Sequence, residues 1–289
     1  MAHQVEIGIF FIARTNIDIE ESNKWLEHMG VKDFKAENYT KTDAEALIEM
    51  AGRRCYMSFE PGMNPNVTKI RTNLAEYIEN ILKSGHGSVL EHASYTFAIE
   101  GISRIFTGEM NRHRAGWATS EGSMRYIRLE DMGFWMPPSL KRSPFHCPSC
   151  EPEWWTKDEN IKENKLNAKK IKSHGIFLKA FESAEKYYNE LQEIWKDELA
   201  PESKFHAKKE ITSMMRRIVP MGIATGGIWT GNIRAIRHVL TMRTTEAAEE
   251  EICYVFSHIM KRIAELEPNL FGDFKQDEHG FWSPLYKKV

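Results

Sequence analysis

The sequence predicts a mixed α/β fold of the α+β kind, in which a twisted, mainly antiparallel sheet is flanked by long helices. Residues 5–13 alternate in hydrophobicity, and residues 94–99 are rich in β-branched and aromatic side chains, as strands are. Residues 171–199 instead carry apolar side chains every three or four positions, which is typical of an amphipathic helix. Segments of both kinds therefore contribute to the core.

The composition indicates a globular protein. The chain has 289 residues, of which 42% are hydrophobic and 28% are charged. We expect a single domain over residues 1–289 with an inserted excursion at about 137–170. The net charge of -2 argues against a general nucleic-acid coat, and no apolar run is long enough to cross a bilayer. With no export signal evident, we expect a cytoplasmic protein that binds neither membranes nor nucleic acid.

The first half of the chain predicts two strands and three helices. In the first strand Phe10 and Ile12 make the second face apolar too, so we expect both of its faces to be covered. A helix begins after Thr42, and a later helix ends at Gly85. The predicted segments are a strand at 5–13, a helix at 43–55, a turn at 61–66, a helix at 67–83, a strand at 94–99 and a helix at 102–114.

The second half predicts mainly helices. Residues 137–165 contain several prolines and the pair Trp154-Trp155 but show no sustained period, which indicates an excursion. Residues 226–232 are too rich in glycine for a helix interior, so the next helix is expected to begin near Gly231. The tail after Phe271 is expected to be irregular. The predicted helices are 171–199, 205–219, 231–243 and one carrying an apolar stripe from Ile252 to Ile263.

The four cysteines do not form a disulfide framework in a chain of this size. Cys55 and Cys253 are expected to be buried helix residues. Cys147 and Cys150, preceded by His146, have the spacing of a metal knuckle but lack a second pair at the usual distance. We therefore predict no metal site, although a zinc site completed by a partner chain stays open.

Two arginine-rich segments point to an anionic ligand. Arg112-His113-Arg114 is followed within a few residues by Glu121, Ser123 and Arg125, and a second segment spans residues 216–243. Guanidinium groups carry permanent charge and paired donors for phosphate, and a histidine between two arginines is pushed toward its neutral form. The alternative is a cationic helix end that is stabilised by the helix dipole and binds no ligand.

These segments resemble the signature of the flavin-dependent thymidylate synthases, in which Arg-His-Arg precedes a Glu-x-Ser-x-Arg-Tyr box. The box here is Glu121-Gly122-Ser123-Met124-Arg125-Tyr126. The resemblance covers about residues 43–272 apart from 137–170, and it implies the fold of the thymidylate synthase complementing proteins and a homotetramer with sites between subunits. Three further matches follow the same order: Gly85-His86 with Glu91-His92-Ala93-Ser94, Arg217-Ile218-Val219-Pro220, and Trp229-Thr230-Gly231-Asn232-Ile233-Arg234 running to Met242-Arg243.

The resemblance implies FAD-dependent methylation of dUMP at C5 to give dTMP, with methylenetetrahydrofolate as carbon donor and NADPH as reductant. It implies catalytic roles for Arg243, Arg217 and Ser123. It implies flavin binding by His92, Arg112, His113, Arg114, Glu121, Asn232, Arg234 and His238. It implies nucleotide binding by Glu109, Glu121, Gly122, Ser123, Met124, Arg125, Arg217 and Arg243.

The residue types agree with this division. Guanidinium groups neutralise phosphates, and one at a uracil carbonyl stabilises negative charge during chemistry at C5 and C6. A nucleophilic role for Ser123 is the weaker interpretation, because Glu121 is the only candidate base near it in the sequence. His92 has an alternative role as a histidine satisfied within the core.

Departures from the family pattern keep other functions open. Eight residues separate Arg114 from Ser123, one more than is usual, while Glu109, His238 and Ala247 replace the residues that are common there. One alternative is a related enzyme that methylates UMP or hydroxymethylates a pyrimidine nucleotide. Another is a flavin or nucleotide binder without catalysis, and a third is an RNA-binding protein that stacks bases on Trp154-Trp155.

Overall fold

The computed structural model describes residues 2–36, 42–129, 131–140 and 162–289. Its main sheet has four strands in the order β2-β3-β6-β4, and every neighbouring pair is antiparallel. The predicted mixed fold with a mainly antiparallel sheet is thereby confirmed. The strands of this sheet are β2 (Gly8–Arg14), β3 (Ser94–Ser103), β4 (Trp117–Glu121) and β6 (Ala224–Asn232). Shorter strands form a parallel pair, β1 (His3–Gln4) with β5 (Gly133–Phe134), and a C-terminal hairpin, β7 (Phe274–Gln276) with β8 (Trp282–Pro284).

One face of the main sheet packs on the core, and the other is open in the described chain. Tyr95, Phe97 and Trp229 are buried on the covered face. On the first strand, however, Phe10 and Ile12 are 54% and 52% exposed. The expectation that both faces of this strand are covered is therefore wrong within the described chain, because the helices pack on only one side of the sheet.

Helices pack on the covered face of the sheet and form a second layer beside it. The main core contains residues of β3, α3, α7 and α8, with Ile48 and Phe106 contributed by α2 and α4. A smaller core lies between α5 and α6, around Tyr188 and Met215. The helices are α1 (Ile19–His28), α2 (Asp43–Tyr56), α3 (Leu74–Ser84), α4 (Arg104–Met110), α5 (Lys162–Ile194), α6 (Phe205–Met215), α7 (Ile233–Arg243), α8 (Glu250–Leu266) and α9 (Pro268–Phe271).

Local capping sets several helix boundaries. Thr42 caps α2, as predicted, and Gly85 ends α3 with a φ of 74°. The helix predicted at 67–83 begins only at Leu74, because Asn73 caps it and the preceding residues are extended. The helix predicted at 102–114 is restricted to α4, since Ser103 ends β3 and caps the helix.

The glycine-rich segment before α7 is a central strand, which the sequence did not predict. Glycine has low strand propensity, but packing requires it here. A Cβ atom on Gly227 would lie 2.5 Å from the carbonyl oxygen of Ser120, and one on Gly231 would lie 2.8 Å from the ring of Trp117. The helix predicted from Gly231 begins at Ile233 instead, because Asn232 acts as its cap.

Other expectations are corrected in smaller ways. The helix predicted at 171–199 begins at Lys162, inside the predicted excursion, and ends at Ile194. The tail expected to be irregular forms the hairpin of β7 and β8. Cys55 is exposed rather than buried, and Cys253 is half-buried. His146, Cys147, Cys150, Trp154 and Trp155 lie outside the described residues. Within the described ranges, none of the helices is at once long and apolar enough to cross a membrane.

Candidate functional site

The Arg-His-Arg triplet lies in the turn between α4 and β4. The prediction that the triplet ends the helix over 102–114 is wrong, because α4 ends at Met110. Arg112 and Arg114 are exposed, and His113 is half-buried. The turn therefore presents two cations to solvent and directs the imidazole inward.

A polar network joins this turn to the end of α7. The Nε atom of Arg243 donates to Nε2 of His113 at 2.8 Å, and its Nη1 atom lies 2.9 Å from the carboxylate of Glu109. Arg112 lies 3.6 Å from the same carboxylate. Two guanidinium groups thus neutralise Glu109, which would otherwise repel a phosphate.

His113 is held in its neutral form. Burial lowers the pKa of its imidazole, and the positive charge of Arg243 and the nearby ring of His238 lower it further. The His238 ring centroid lies 6.1 Å from that of His113. Since Nε2 accepts from Arg243, the ring proton belongs on Nδ1, which becomes the donor available to a ligand.

Several of the residues predicted for the flavin lie on or beside α7, whereas Glu121 lies apart from them at the end of β4. Arg234 forms a 2.6 Å ion pair with Glu91, and the side chain of Asn232 accepts from the amide of Ala235 at 2.8 Å. His92 is exposed, so the alternative of a core histidine is wrong. In the described part of the chain, the guanidinium of Arg114 makes no salt bridge and is free to bind an anion.

A glycine allows the triplet turn to pack closely against the start of α7. Gly116 has a φ of 74°, and a Cβ atom there would lie 2.7 Å from the amide nitrogen of Asn232. Only glycine therefore permits the triplet turn to approach α7 this closely. The unpaired guanidinium of Arg114 and the Nδ1 donor of His113 on this turn fit the diphosphate of a flavin dinucleotide.

A separate cleft of about 560 Å³ lies at the end of β4. Four of its six lining residues were predicted from the sequence as nucleotide ligands. Its lining residues are Arg104, Glu121, Ser123, Met124, Arg216 and Arg217. The structure therefore places Glu121, Ser123, Met124 and Arg217 together, while Arg243 and Glu109 belong to the network around His113.

Arg104 was missed by the sequence reasoning. Its Nη1 atom lies 3.2 Å from the Glu121 carboxylate, and its Nη2 atom donates to the carbonyl of Gly122. It occupies the first turn of α4, where a cation is disfavoured by the helix dipole. A cation in that unfavourable position is the sequence signal that could have identified Arg104 as a site residue.

The charge of the cleft is carried by Arg216 and Arg217. Arg104 is already neutralised by Glu121. Among the residues that the structure describes, neither Arg216 nor Arg217 has a carboxylate partner. Two uncompensated positive charges match a phosphate dianion.

Ser123 has no catalytic base in the described chain. Its hydroxyl accepts from the backbone amide of Arg125 at 3.4 Å, and no described histidine or carboxylate lies within hydrogen-bond distance. The guanidinium of Arg125 is exposed and lies 5.9 Å from the ring centroid of Tyr126. The arrangement favours a binding role for Ser123 over a nucleophilic one.

Comparisons with known proteins agree with the family resemblance. Residues 37–269 match the family described as thymidylate synthase complementing protein. The chain is 33% identical over 279 residues to a flavin-dependent thymidylate synthase from Mycobacteroides abscessus, covering 95% of this chain and 92% of that protein. A flavin-dependent thymidylate synthase from Corynebacterium efficiens is 31% identical over 276 residues, with the same coverage of 95% and 92%.

Solved structures share the fold. The crystal structure of a UMP/dUMP methylase PolB from Streptomyces cacaoi bound with 5-Br UMP has a TM-score of 0.59 and 16% sequence identity, with 94% of each chain covered. The structure of that protein bound with 5-Br dUMP has a TM-score of 0.57, covering 93% of this chain and 94% of that chain at 17% identity. At this identity the likeness concerns the fold alone.

Proposed function

Because the chain belongs to the thymidylate synthase complementing protein family, the flavin-dependent thymidylate synthases, we propose that it catalyses reductive methylation of dUMP at C5 to give dTMP. FAD would be the cofactor, methylenetetrahydrofolate the carbon donor and NADPH the reductant. The proposal extends the family assignment to a particular substrate and particular co-substrates.

The observation that carries the proposal is that two guanidinium groups in the cleft have no carboxylate partner within the described ranges. Arg216 and Arg217 supply the charge that a nucleoside monophosphate needs, and Ser123 supplies a hydroxyl on the same lining. We assign phosphate binding to Arg216 and Arg217, with Glu121, Gly122, Ser123, Met124 and Arg125 shaping the remainder of the nucleotide site.

The network around Arg243 supports a role for that residue at the base. We propose that the Nη2 donors of Arg243, which have no partner among the described residues, donate to a uracil carbonyl on which negative charge develops during chemistry at C5. Glu109 and His113 hold Arg243 in one orientation through contacts of 2.9 Å and 2.8 Å. The flavin, which when bound supplies the electron-transfer chemistry, would be held by Arg112, His113 and Arg114 with His92, Asn232, Arg234 and His238.

The proposal is tested with dUMP carrying tritium at C5. The purified flavin-loaded protein should release tritium only with both methylenetetrahydrofolate and NADPH, and mass spectrometry should identify dTMP. Arg217→Ala should lower the rate while the flavin content is unchanged. Absence of tritium release from the flavin-loaded wild-type protein would contradict the proposal, and absence of NADPH oxidation as well would favour a binder without catalysis.

UMP is the second candidate substrate. A likeness in fold to a UMP/dUMP methylase and the longer connection between Arg114 and Ser123 favour considering it. The additional length falls in the turn at Gly116 and in β4, which leads into the nucleotide cleft. Turnover of UMP and dUMP measured side by side decides between them, since a higher kcat/KM for UMP would replace dUMP as the substrate.

We also propose that the protein is a homotetramer. Phe10 pairs with Ala98, Ala98 with Ile228 and Ile228 with Ser120, so these residues form one row across the open face of the sheet. Phe10 and Ile228 are 54% and 45% exposed, and a second copy of the chain would cover them. Sedimentation equilibrium should give four times the chain mass, and Phe10→Asp should reduce it. A monomeric wild-type protein would contradict this assignment.

A further inference from the structure

A second cavity of about 440 Å³ lies apart from the nucleotide cleft, between α2, α3 and the 3-10 turn Gly87–Glu91. None of its lining residues was predicted as a site residue. The segment between α2 and α3 forms its outer wall through Ser58, Val67, Lys69, Ile70 and Arg71.

The buried guanidinium of Arg53 holds this outer wall in place. It donates to the carbonyl of Ser58 at 2.8 Å and to the carbonyl of Arg71 at 2.6 Å, so it fixes the segment at both ends. Glu49 neutralises it through a 2.7 Å hydrogen bond at Nε, and its guanidinium carbon lies 4.5 Å from the Tyr77 ring centroid. A buried guanidinium that donates to one carboxylate and two backbone carbonyls holds the segment rigidly.

Close packing at the cavity floor also depends on a glycine. A Cβ atom on Gly52 would lie 2.6 Å from the hydroxyl oxygen of Tyr77. Any larger residue would displace the tyrosine that stacks on Arg53. The cavity is therefore shaped by specific contacts rather than left between loosely packed elements.

The rim of the cavity is positively charged. Lys69 and Arg71 are exposed, and their side chains make no salt bridge within the described residues. Beside them, the hydroxyl of Tyr56 lies 3.1 Å from Nδ1 of His86. Val67, Ile70 and Ile81 provide apolar surface next to these polar groups. A ligand that fits has a doubly negative end and an apolar or planar body.

We propose that this cavity binds the dianionic end of a co-substrate that reacts with the flavin. That end is either a phosphomonoester or a dicarboxylate. The inference rests on the proposed function for the identity of the co-substrates. NADPH ends in a 2′-phosphate, and the folate ends in a glutamate with two carboxylates. The 3-10 turn that lines the cavity also carries Glu91, whose partner Arg234 is assigned to the flavin, so the cavity and the proposed flavin site share one structural element.

The test uses the flavin-loaded protein with Lys69→Ala and Arg71→Ala. Lys83→Ala is the matched control, because Lys83 is exposed on α3 outside the cavity. Loss of one charged hydrogen bond should raise the KM for the anchored co-substrate about tenfold, with kcat and flavin content unchanged. Lys83→Ala should have no effect.

Truncated co-substrates identify the anchored group. If the 2′-phosphate is bound, both variants raise the KM for NADPH and leave that for NADH unchanged. If the glutamate is bound, they raise the KM for methylenetetrahydrofolate and leave unchanged the KM for the corresponding methylenetetrahydropteroate, which lacks glutamate. Either result supports the proposal.

Three results would overturn it: an unchanged KM for both co-substrates, an equal effect on intact and truncated forms, or loss of flavin from the variants. Calorimetric titration of NADP⁺ and folate into the flavin-loaded protein measures the same preferences without turnover. If wild-type protein makes no dTMP, the proposed function fails, yet this titration still tests the cavity.

Discussion

The Nε atom of Arg243 donates a 2.8 Å hydrogen bond to Nε2 of His113. This contact joins a residue assigned to the nucleotide to a residue assigned to the flavin. The carboxylate of Glu109 lies 2.9 Å from the same guanidinium, so the three side chains form one network. A change in the position of Arg243 when nucleotide binds would therefore change the hydrogen bonding of the His113 imidazole.

Replacing Arg243 should make His113 easier to protonate. The positive charge of Arg243 lowers the pKa of His113 in addition to the effect of burial, so Arg243→Met should raise that pKa toward its ordinary value. Titration of the labelled imidazole by NMR measures this shift. Arg262→Met, which removes a guanidinium 4.8 Å from the Phe11 ring centroid, serves as the control. An unchanged His113 titration in Arg243→Met would show that the contact is absent in solution.

Arg216 and Arg217 should recognise the phosphate and not the base. Each alanine variant should weaken dUMP binding about tenfold or more, because it removes a charged hydrogen bond to the dianion. Deoxyuridine, which lacks the phosphate, should bind wild type and variants alike. Equilibrium dialysis measures both ligands, with Lys179→Ala on α5 as the control. Equal losses for dUMP and deoxyuridine would mean that the variants distort the cleft.

Glu251 should make stability fall as pH rises. Burial raises the pKa of its carboxyl to about 7, although Ser103 hydrogen-bonds to the carboxylate through its amide at 2.6 Å and through its hydroxyl. The folded state therefore binds a proton more tightly than the unfolded state does. Its stabilising effect is present below pH 4.5 and is lost as pH rises to about 7, a loss of about 3 kcal/mol.

Chemical denaturation of wild type and Glu251→Gln between pH 4.5 and 8 measures this dependence. The free energy of unfolding should fall with pH more steeply in wild type than in the variant. Glu265→Gln, on the exposed face of α8, should keep the wild-type slope. Parallel curves for wild type and Glu251→Gln would exclude Glu251 as the source.

Two glycine substitutions should have opposite effects. Gly101 has a φ of 75° at a bulge in β3, and a Cβ atom there would collide with the carbonyl oxygen of Glu6. Gly101→Ala should destabilise the protein by at least about 1 kcal/mol. Gly108 lies in α4 with open space around it, so Gly108→Ala should stabilise by up to about 1 kcal/mol. Thermal unfolding measures both, and destabilisation by Gly108→Ala would contradict the open space in the structure.

The sequence predicted elements well where local periodicity and capping agree. The helix after Thr42 and the final long helix have strong apolar periodicity and polar side-chain caps, so α2 and α8 lie where expected. The strand at residues 224–232 was not predicted, because its glycines weaken every local strand signal. Close approach to Ser120 and Trp117 selects glycine there, and those neighbours are distant in sequence.

The candidate site likewise contains residues that the sequence predicted and residues that it did not. Motif order in the sequence identified Glu121, Ser123, Met124 and Arg217, which line one cleft in the structure. It did not identify Arg104, whose role depends on the side chain of Glu121. Nor did it predict the cavity shaped by Arg53, because that cavity exists only when a guanidinium on one helix reaches carbonyls of the following segment.

The sequence by itself determined the fold class and the family and predicted anionic ligands, because periodicity, residue type and motif order are local properties. Only the tertiary structure decided which charges remain available. Arg104 is neutralised by Glu121, and Arg243 is held by Glu109 and His113, whereas Arg216 and Arg217 have no partner among the described residues. Pairing between side chains distant in sequence decides which arginines can bind an anionic ligand, because a charge that is already compensated contributes little to binding a further charge.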